Sequence, residues 1–546
     1  MAALTVAFAA PAGAQQVAID SDDIGGVVTG PNGPEAGVWV VAETRDLQTR
    51  FARMVVTDDR GRYVVPDLPA ASYNVWVRGY GLVDSEKVSA RPGQNLDLKA
   101  TSAPNPAAAA KYYPAIYWYS MLKIPDKDQF GGSGAIPKNI TPTHWLNAMK
   151  NNGCIGCHQL GNEATRTFPS SLALVGSSEE AWMRRVQSGQ AGDAMVNALA
   201  GNLGGVPFKY FADWTDRIAG GELPHSKPQR PQGVERNIVV TVRDWLNDKH
   251  YLHDLISTDR RNPTVNGYGP LFGAAEHSTD EVPILDPVKN VTMSFTAPVR
   301  DKDMPVPRPP HAIAKPVAPS PYWGEEAIWN SKANIHNPMM DQKGRVWFAA
   351  SIRGRDNPAL CKQGSDHPSA KLTPVAAADR HLSVYDLKTQ RYSYVDTCFS
   401  THHLQFDSKD RLWTSGGGPV VGWLDMKKFD ETGDAAAAQG WTALILDTNG
   451  NSKRDDYVEA DKSFDPAKDK RIIAGFYSVM PNPADGSIWG SQAFGIPGRI
   501  IRLAPGDNPP ETALAEVFNV PAPGFGPRGA DIDKNGVVWV SLASGH

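Results

Sequence analysis

No run of 18 consecutive apolar residues occurs anywhere in the 546-residue chain, so no segment can cross a membrane as a helix. Neither sign of charge dominates, with 55 basic residues against 59 acidic ones. That balance removes the electrostatic case for nucleic acid or an anionic membrane as partner. No G-x-S-x-G, P-loop or G-x-G-x-x-G pattern is present, which leaves serine hydrolysis, nucleotide binding and a Rossmann fold without support. Cysteine is scarce, at four residues. Glycine (50), proline (44) and tryptophan (15) are plentiful, which suits turn-rich β structure. The length corresponds to about three to four domains.

Two of the four cysteines stand in Cys154-Ile155-Gly156-Cys157-His158. C-x-x-C-H is the attachment motif of c-type haem. Both thiols add to the vinyl groups of one porphyrin, and the adjacent histidine faces its iron. Cys154 and Cys157 are therefore expected to tether one covalent haem c, with His158 as the proximal iron ligand. A thioredoxin-like pair would need a βαβ context, and a zinc site would need two further ligands at metal spacing; neither is present. The N-terminus reads Met1-Ala-Ala-Leu-Thr-Val-Ala-Phe-Ala-Ala and then Ala12-Gly13-Ala14, the apolar core and A-x-A site of a secretory signal without its positive start. Residues 1–21 are read as signal peptide and tail, and the protein as periplasmic or secreted. Cys361 and Cys398 could then form a disulfide, although sequence alone does not place them within reach.

Residues 22–100 alternate in short strand-like runs, Val38-Trp39-Val40-Val41, Arg62-Tyr63-Val64-Val65 and Tyr73-Asn74-Val75-Trp76-Val77, bounded by Gly, Pro or Asp. With Gly26, Gly37, Thr57-Asp58-Asp59-Arg60-Gly61 and Leu68-Pro69, this stretch resembles the carboxypeptidase regulatory-like domain, a transthyretin-like β-sandwich often grouped with carbohydrate-binding folds. Trp39 and Trp76 either fill the sandwich core or stack on sugars. Residues 101–140, Ala/Pro-rich and then aromatic around Tyr112, read as a linker packed on a neighbour.

Residues 141–250 are expected to form the haem domain. Thr141-Pro142 opens a helix leading into the C-x-x-C-H, Ser177 with Glu180 caps another, and the apolar face Ile238, Val239, Val242, Trp245 and Leu246 predicts a last helix over 234–246. This order resembles a compact, all-α monohaem cytochrome c domain. Met195 is the expected distal iron ligand, with His225 the alternative and an open site the third option. Met183 lies within a helix and reads as core filler. Arg166 or Arg185 could pair with a haem propionate, or be solvated.

Beyond residue 255 a pattern repeats: Asp341 to Trp347, Asp407 to Trp413, Asn482 to Trp489 and Asp531 to Trp539. Each copy is a polar tight turn followed by a short apolar strand, the unit of a β-propeller blade. The pattern resembles the virginiamycin B lyase-like propellers, and 255–546 is read as such a domain. The last copy stops after its first strand, so the propeller is expected to be incomplete at its C-terminus or closed by a strand from 255–330. His336 and the pair His402-His403 precede blade turns. The resemblance implies channel histidines, an acidic residue and a divalent metal that eliminate across a lactone, with His336 and His403 as candidates and no acidic partner matched. Structural histidines are the other reading. Asp447, Asn449, Asn451 and Asp455 resemble a calcium loop, although Gly450 and Val458 depart from the EF-hand pattern.

The chain is thus expected to be multidomain: β-sandwich, all-α cytochrome c domain, β-propeller. The function that follows first is periplasmic electron transfer by one c-type haem, with the propeller binding a substrate or a redox partner protein. The alternatives are a propeller lyase acting on a cyclic ester or polysaccharide, and a non-enzymatic scaffold that binds carbohydrate or protein.

Overall fold

The structure is a computed structural model. It describes residues 17–545 except 133–135, 150–153, 157, 173–174, 246, 248–249, 306–318, 323, 327, 416–417 and 494. Residues 1–16 of the expected signal peptide and tail (1–21), and Cys157, therefore lie outside the described residues. The chain divides into two compact units, one of Met1–Leu122, Gly161–Arg166 and Arg217–Trp245, the other of Lys123–Leu160, Thr167–Asp216 and Leu246–His546.

The first unit is built on a β-sandwich. One sheet centres on Ile24–Gly30 and the other on Trp39–Thr44, Phe51–Val56 and Tyr73–Arg78. Alternate residues of these strands and of Arg62–Val65, which pairs with Ile24–Gly30, meet in one core, among them Val28, Val40, Val55, Tyr63 and Val75. Trp76 is buried, whereas Trp39 is half-buried with its ring edge-on to Tyr80 at 4.9 Å. Tyr113 packs on Tyr80 in turn, at 6.1 Å, so the aromatic part of the expected linker lies on the sandwich.

The helix expected over 234–246 does not form. Gly233–Arg236 is one 3₁₀ turn, and Val240–Arg243 is a strand pairing antiparallel with Phe51–Val56 at the sandwich edge. The physical reason is local. Val-Val-Thr-Val is β-branched and suits a pleated edge better than a helix interior, and Ile238, Val239 and Val240 are exposed rather than gathered on a core face. The expectation of an all-α domain over 141–250 is corrected with it.

What the second unit does contain is a run of short helices. Pro142–Asn147 is capped by Thr141, whose hydroxyl accepts the His144 N–H at 3.2 Å. Ser178–Val186 is capped by Ser177 in the same way. Gly192–Val196 and Pro207–Ala219 follow. Pro207–Ala219, whose Phe208, Phe211, Ala212 and Trp214 are buried, is the last helix of this run.

The rest of the second unit is a series of sheets, antiparallel except for two parallel pairings, Leu446 with Ala515 and Tyr457–Val458 with Asp469–Lys470. Three have four strands each, taken in sequence order: Asp254–Thr296, His336–Val395 and His403–Thr442. A seven-stranded sheet follows, and then the hairpin of Phe525–Ile532 with Val538–Gly545. First strands pack on first strands: Asp254–Ile256 on His336–Met340, that on His403–Phe406, that on Met480–Pro481, and that on Phe525–Ile532. Consecutive meanders packed by their first strands are the construction of propeller blades. Among the described residues, the strands between Asp254 and Thr296 form a sheet of their own and pair with neither strand of the last hairpin.

The repeated tryptophans have one physical role. Trp347 Nε1 donates to Asp341 at 2.9 Å, Trp413 Nε1 to Asp407 at 2.8 Å, and Trp539 Nε1 to Asp533 at 3.2 Å. In the third copy Asn482 takes the turn, and Trp489 donates to Ser487 at 2.8 Å. Each bond ties a strand to the turn that begins it and fixes the hairpin register.

Candidate functional site

The first strands carry the site at the ends where they begin. Asp254 opens the first, His336 the second and His403 the third, with His402 just before it. The His336 ring stacks on His402 at 4.3 Å and on His403 at 5.4 Å, and lies 4.7 Å from His253. Ligand atoms of His336, His402 and His403 all fall within 4.8 Å of one another, as do those of His253, Asp254 and His336. Tyr477 closes the group, its ring 5.2 Å from His402 and 4.7 Å from His403.

Local backbone geometry sets these positions. The His336–Met340 strand bulges after His336, and Asn337 takes φ 45° there. That turn of the chain lets the Asn337 N–H donate to Asp254 Oδ2 at 3.0 Å while its side-chain oxygen accepts the Leu404 N–H at 2.8 Å. One residue thus joins three neighbouring first strands beneath the imidazoles.

Two carboxylates serve the histidines. Asp254 Oδ2 lies 2.8 Å from His253 Nδ1 and 2.9 Å from His336 Nδ1. Glu276 Oε2 lies 3.3 Å from His336 Nδ1 and 3.5 Å from His277 Nε2, and Glu276 Oε1 accepts from Arg380. Burial alone would raise both carboxyls. For Asp254 the bonds from His253 and His336 outweigh it, and for Glu276 the Arg380 charge and His336 do so, holding both below the ordinary carboxylate range. Burial also opposes a charge on His336, but Asp254 and Glu276 raise it overall. Burial, and then the neighbouring imidazoles, hold His402 well below its ordinary value, and burial and His336 push His403 down to about 3. His402 and His403 are therefore neutral, with lone pairs to give. His336 Nε2 is buried and has no hydrogen-bond partner among the described residues. Nitrogen donors of this kind suit a first-row divalent ion better than calcium or magnesium, which take oxygen.

Both candidates named from sequence, His336 and His403, are thus brought together. The acidic partners, Asp254 and Glu276, and also His253, His277, His402, Arg380, Tyr477 and Arg528, were not singled out as site residues. A signal for four of them, and for His336, lies in the repeat. Counting back five residues from the turn residues Asp259, Asp341, Asp407, Asn482 and Asp533 gives Asp254, His336, His402, Tyr477 and Arg528.

The other candidates lie apart from this cluster in sequence. Cys154 is half-buried in the turn Cys154–Gly156, and the exposed His158 donates its N–H to the Cys154 carbonyl at 2.9 Å. Met195 is half-buried on Gly192–Val196, ahead of the last helix, while the exposed His225 follows that helix. Arg166 lies over Trp118 at 4.3 Å, and Arg185 over Trp182 at 4.9 Å. Asp447, Asn449, Asn451 and Asp455 do converge: Asn449 Nδ2 donates to Asp455 at 2.9 Å and Asn451 Nδ2 to the same oxygen at 2.5 Å, while Asp447 accepts the N–H groups of Gly450, Asn451 and Ser452. Cys361 and Cys398 form a disulfide, with Cα atoms 5.3 Å apart.

No family model matches the chain, and no curated protein matches it. Among solved structures, it is similar to a catalytically inactive virginiamycin B lyase from Staphylococcus aureus with quinupristin, at 8% identity over 56% of this chain and 74% of that one, TM-score 0.31. A gluconolactonase from Xanthomonas campestris aligns at 10% identity over 50% and 66%, TM-score 0.25. Regucalcin, a calcium-binding protein from Agrobacterium tumefaciens, aligns at 11% over 52% and 65%, TM-score 0.24. Likeness at this level carries no argument about activity, and the chemistry rests on the site itself.

Proposed function

We propose that the sheets from Asp254 onward form a divalent-metal-dependent propeller lyase that breaks a cyclic ester or a polysaccharide by elimination. The observation that carries this reading is the convergence of the His336, His402 and His403 nitrogens beside two carboxylates and a phenol. These three imidazoles would hold the ion. A bound divalent ion supplies Lewis acidity for a substrate carbonyl.

The remaining chemistry belongs to the side chains. Asp254 fixes the His253 ring through Nδ1, leaving Nε2 as the base. His253 takes the proton from the carbon beside the carbonyl. The electron pair of that C–H bond forms a C=C bond, and the C–O bond on the next carbon breaks. The Tyr477 hydroxyl gives its proton to the leaving oxygen. The test is to load the full chain with Zn(II) or Mn(II), measure bound metal by atomic emission, and follow unsaturated product in the ultraviolet. The expected result is binding of one ion, lost with its lyase activity in His402→Ala and His403→Ala. Metal binding unaffected by both substitutions would overturn the reading.

A second reading concerns the C-x-x-C-H turn and rests on its own observation. The His158 N–H to Cys154 C=O bond closes one turn, and a capped helix precedes the motif with further helices and Met195 after it. Cys154 and Cys157 would tether the ring, with His158 and Met195 on the iron. Bound haem would supply one-electron transfer to a redox partner protein. Export suits this chemistry and also the Cys361–Cys398 disulfide. A pyridine haemochrome assay on protein expressed in an exporting, haem-attaching host should give one haem per chain, and its absence would end this reading.

A further inference from the structure

We infer that Arg528 binds a carboxylate of the substrate, which makes the substrate class a uronate-containing polysaccharide rather than a neutral cyclic ester. The inference rests on the lyase reading for the position of the reacting carbon, but on its own geometry for the anion.

Arg528 lies on Phe525–Ile532, the first strand of the last hairpin, five residues before Asp533. The same register position delivers Asp254, His336, His402 and Tyr477 to the imidazole cluster. Arg528 is half-buried. Its Nε donates to the Tyr477 hydroxyl at 3.0 Å, and its guanidinium lies over the Tyr477 ring at 5.1 Å. Tyr477 in turn touches both His402 and His403.

The charges at this end of the strands are almost all matched. Asp254 is taken by His253 and His336, and Glu276 by His336 and Arg380. Arg528 differs. No carboxylate of the described residues lies within ion-pair distance of it, and its terminal nitrogens donate to no group among them. An arginine fixed at Nε, with its forked nitrogens unengaged, is a receptor for a planar anion. A metal ion on the imidazoles would add to the positive excess.

The chemistry converges on the same substrate. In a uronate the carboxylate sits on the carbon that must lose its proton. Neutralising that carboxylate favours the charge that builds up as the proton leaves. Arg528 and the imidazoles of His402 and His403 all touch Tyr477, the phenol that would serve the leaving oxygen.

The test is direct binding by calorimetry to the Zn(II)-loaded full chain, using trisaccharides of galacturonate, mannuronate and glucuronate and the methyl ester of each. At least one acid should bind about tenfold or more tightly than its own ester, the size expected for a charge-assisted pair. Arg528→Gln should remove that difference while metal content and thermal midpoint stay unchanged, and Arg528→Lys should restore part of it. If no acid binds more tightly than its ester, or if Arg528→Gln leaves the preference intact, the inference is overturned. Tight, Arg528-dependent binding without unsaturated product would instead overturn the lyase reading and leave the anion site standing.

Discussion

His336 stands five residues before Asp341, and His402 stands five before Asp407; their rings stack at 4.3 Å with planes 24° apart. Two copies of one sequence repeat thus place the same side-chain type at one point. The turn aspartate anchors the far end of each first strand, so the residue five positions earlier is carried to the opposite end. The site depends on the hairpin turns even though they do not touch it.

Asp407 shows how strongly each turn is held. Its carboxylate accepts N–H groups from Lys409 at 2.9 Å, Arg411 at 2.9 Å and Trp413 at 2.8 Å, and pairs with the Arg411 guanidinium at 2.8 Å. Asp407→Ala strands these buried donors and an arginine, at a cost of about 3–5 kcal/mol. Trp413→Phe removes one bond and should cost less, about 1–2 kcal/mol. Urea unfolding of the two variants should rank them in that order. Equal losses would mean that the indole, rather than the carboxylate network, holds the turn.

Asn337 invites a paired experiment. Alanine would lose the bond to the Leu404 N–H and meet the cost of φ 45°, about 2 kcal/mol together. Glycine loses the same bond without the backbone cost. Asn337→Gly should therefore be the more stable variant, and both should weaken Zn(II) binding, because both lose the side-chain bond that ties the His336 strand to the His403 strand at Leu404. Calorimetric metal titration beside thermal melts checks both halves.

Much of this architecture was legible in the chain because it is periodic. The strand alternation around Trp39 and Tyr73 and the repeated Asp-to-Trp turns are local patterns, and local patterns fix local structure. The site was only half legible. His336 and His403 stood out as histidines beside turns, whereas Asp254 and Glu276 belong to a sheet whose turn lacks the tryptophan. The first sheet instead turns at Asp259, which accepts the Arg261 N–H and pairs with its guanidinium. Val234–Leu246 misled for a different reason: of the five apolar residues at helical spacing, Ile238, Val239 and Val242 are β-branched and suit extended backbone, and tertiary pairing of Val240–Arg243 with Phe51–Val56 decides the outcome.

The Cys361–Cys398 bridge closes a loop spanning 37 residues that includes the helix Pro368–Leu372 and the strands His381–Asp386 and Arg391–Val395. Loop closure of that length constrains the unfolded chain by about 3–4 kcal/mol. Dithiothreitol should lower the urea midpoint accordingly, and a Cys361→Ala/Cys398→Ala variant should match the reduced protein and no longer respond to the reductant. A response persisting in that variant would place the sensitivity elsewhere.

His381 gives the pH dependence a sign. It is fully buried, and burial followed by the Arg353 charge pushes it down to about 3 from 6.5. Below pH 6.5 the unfolded chain binds a proton that the folded chain refuses. The stability is therefore present above that value and is lost as pH falls from 6.5 towards 3. Each unit in that window removes up to about 1.4 kcal/mol. Urea midpoints of His381→Gln should fall less steeply between neutral and acid pH than those of the parent. An unchanged slope would show that His381 does not set the acid limb.

If a haem is held at Cys154–His158 as proposed, the order of helices gives an expectation for its distal ligand. A ligand supplied by the loop before the last helix must precede Pro207–Ala219. Met195 does, on Gly192–Val196, whereas His225 comes after the helix, in a segment that leads to the sandwich-edge strand Val240–Arg243. Methionine ligation raises the potential and gives a weak long-wavelength absorption band in the oxidised protein. Met195→Ala should abolish that band and lower the midpoint potential, while His225→Ala should change neither. Both variants should retain covalent haem, because the tethering thiols are untouched. If His225→Ala, and not Met195→Ala, alters the spectrum, the last helix does not set the ligand and Met195 is not on the iron.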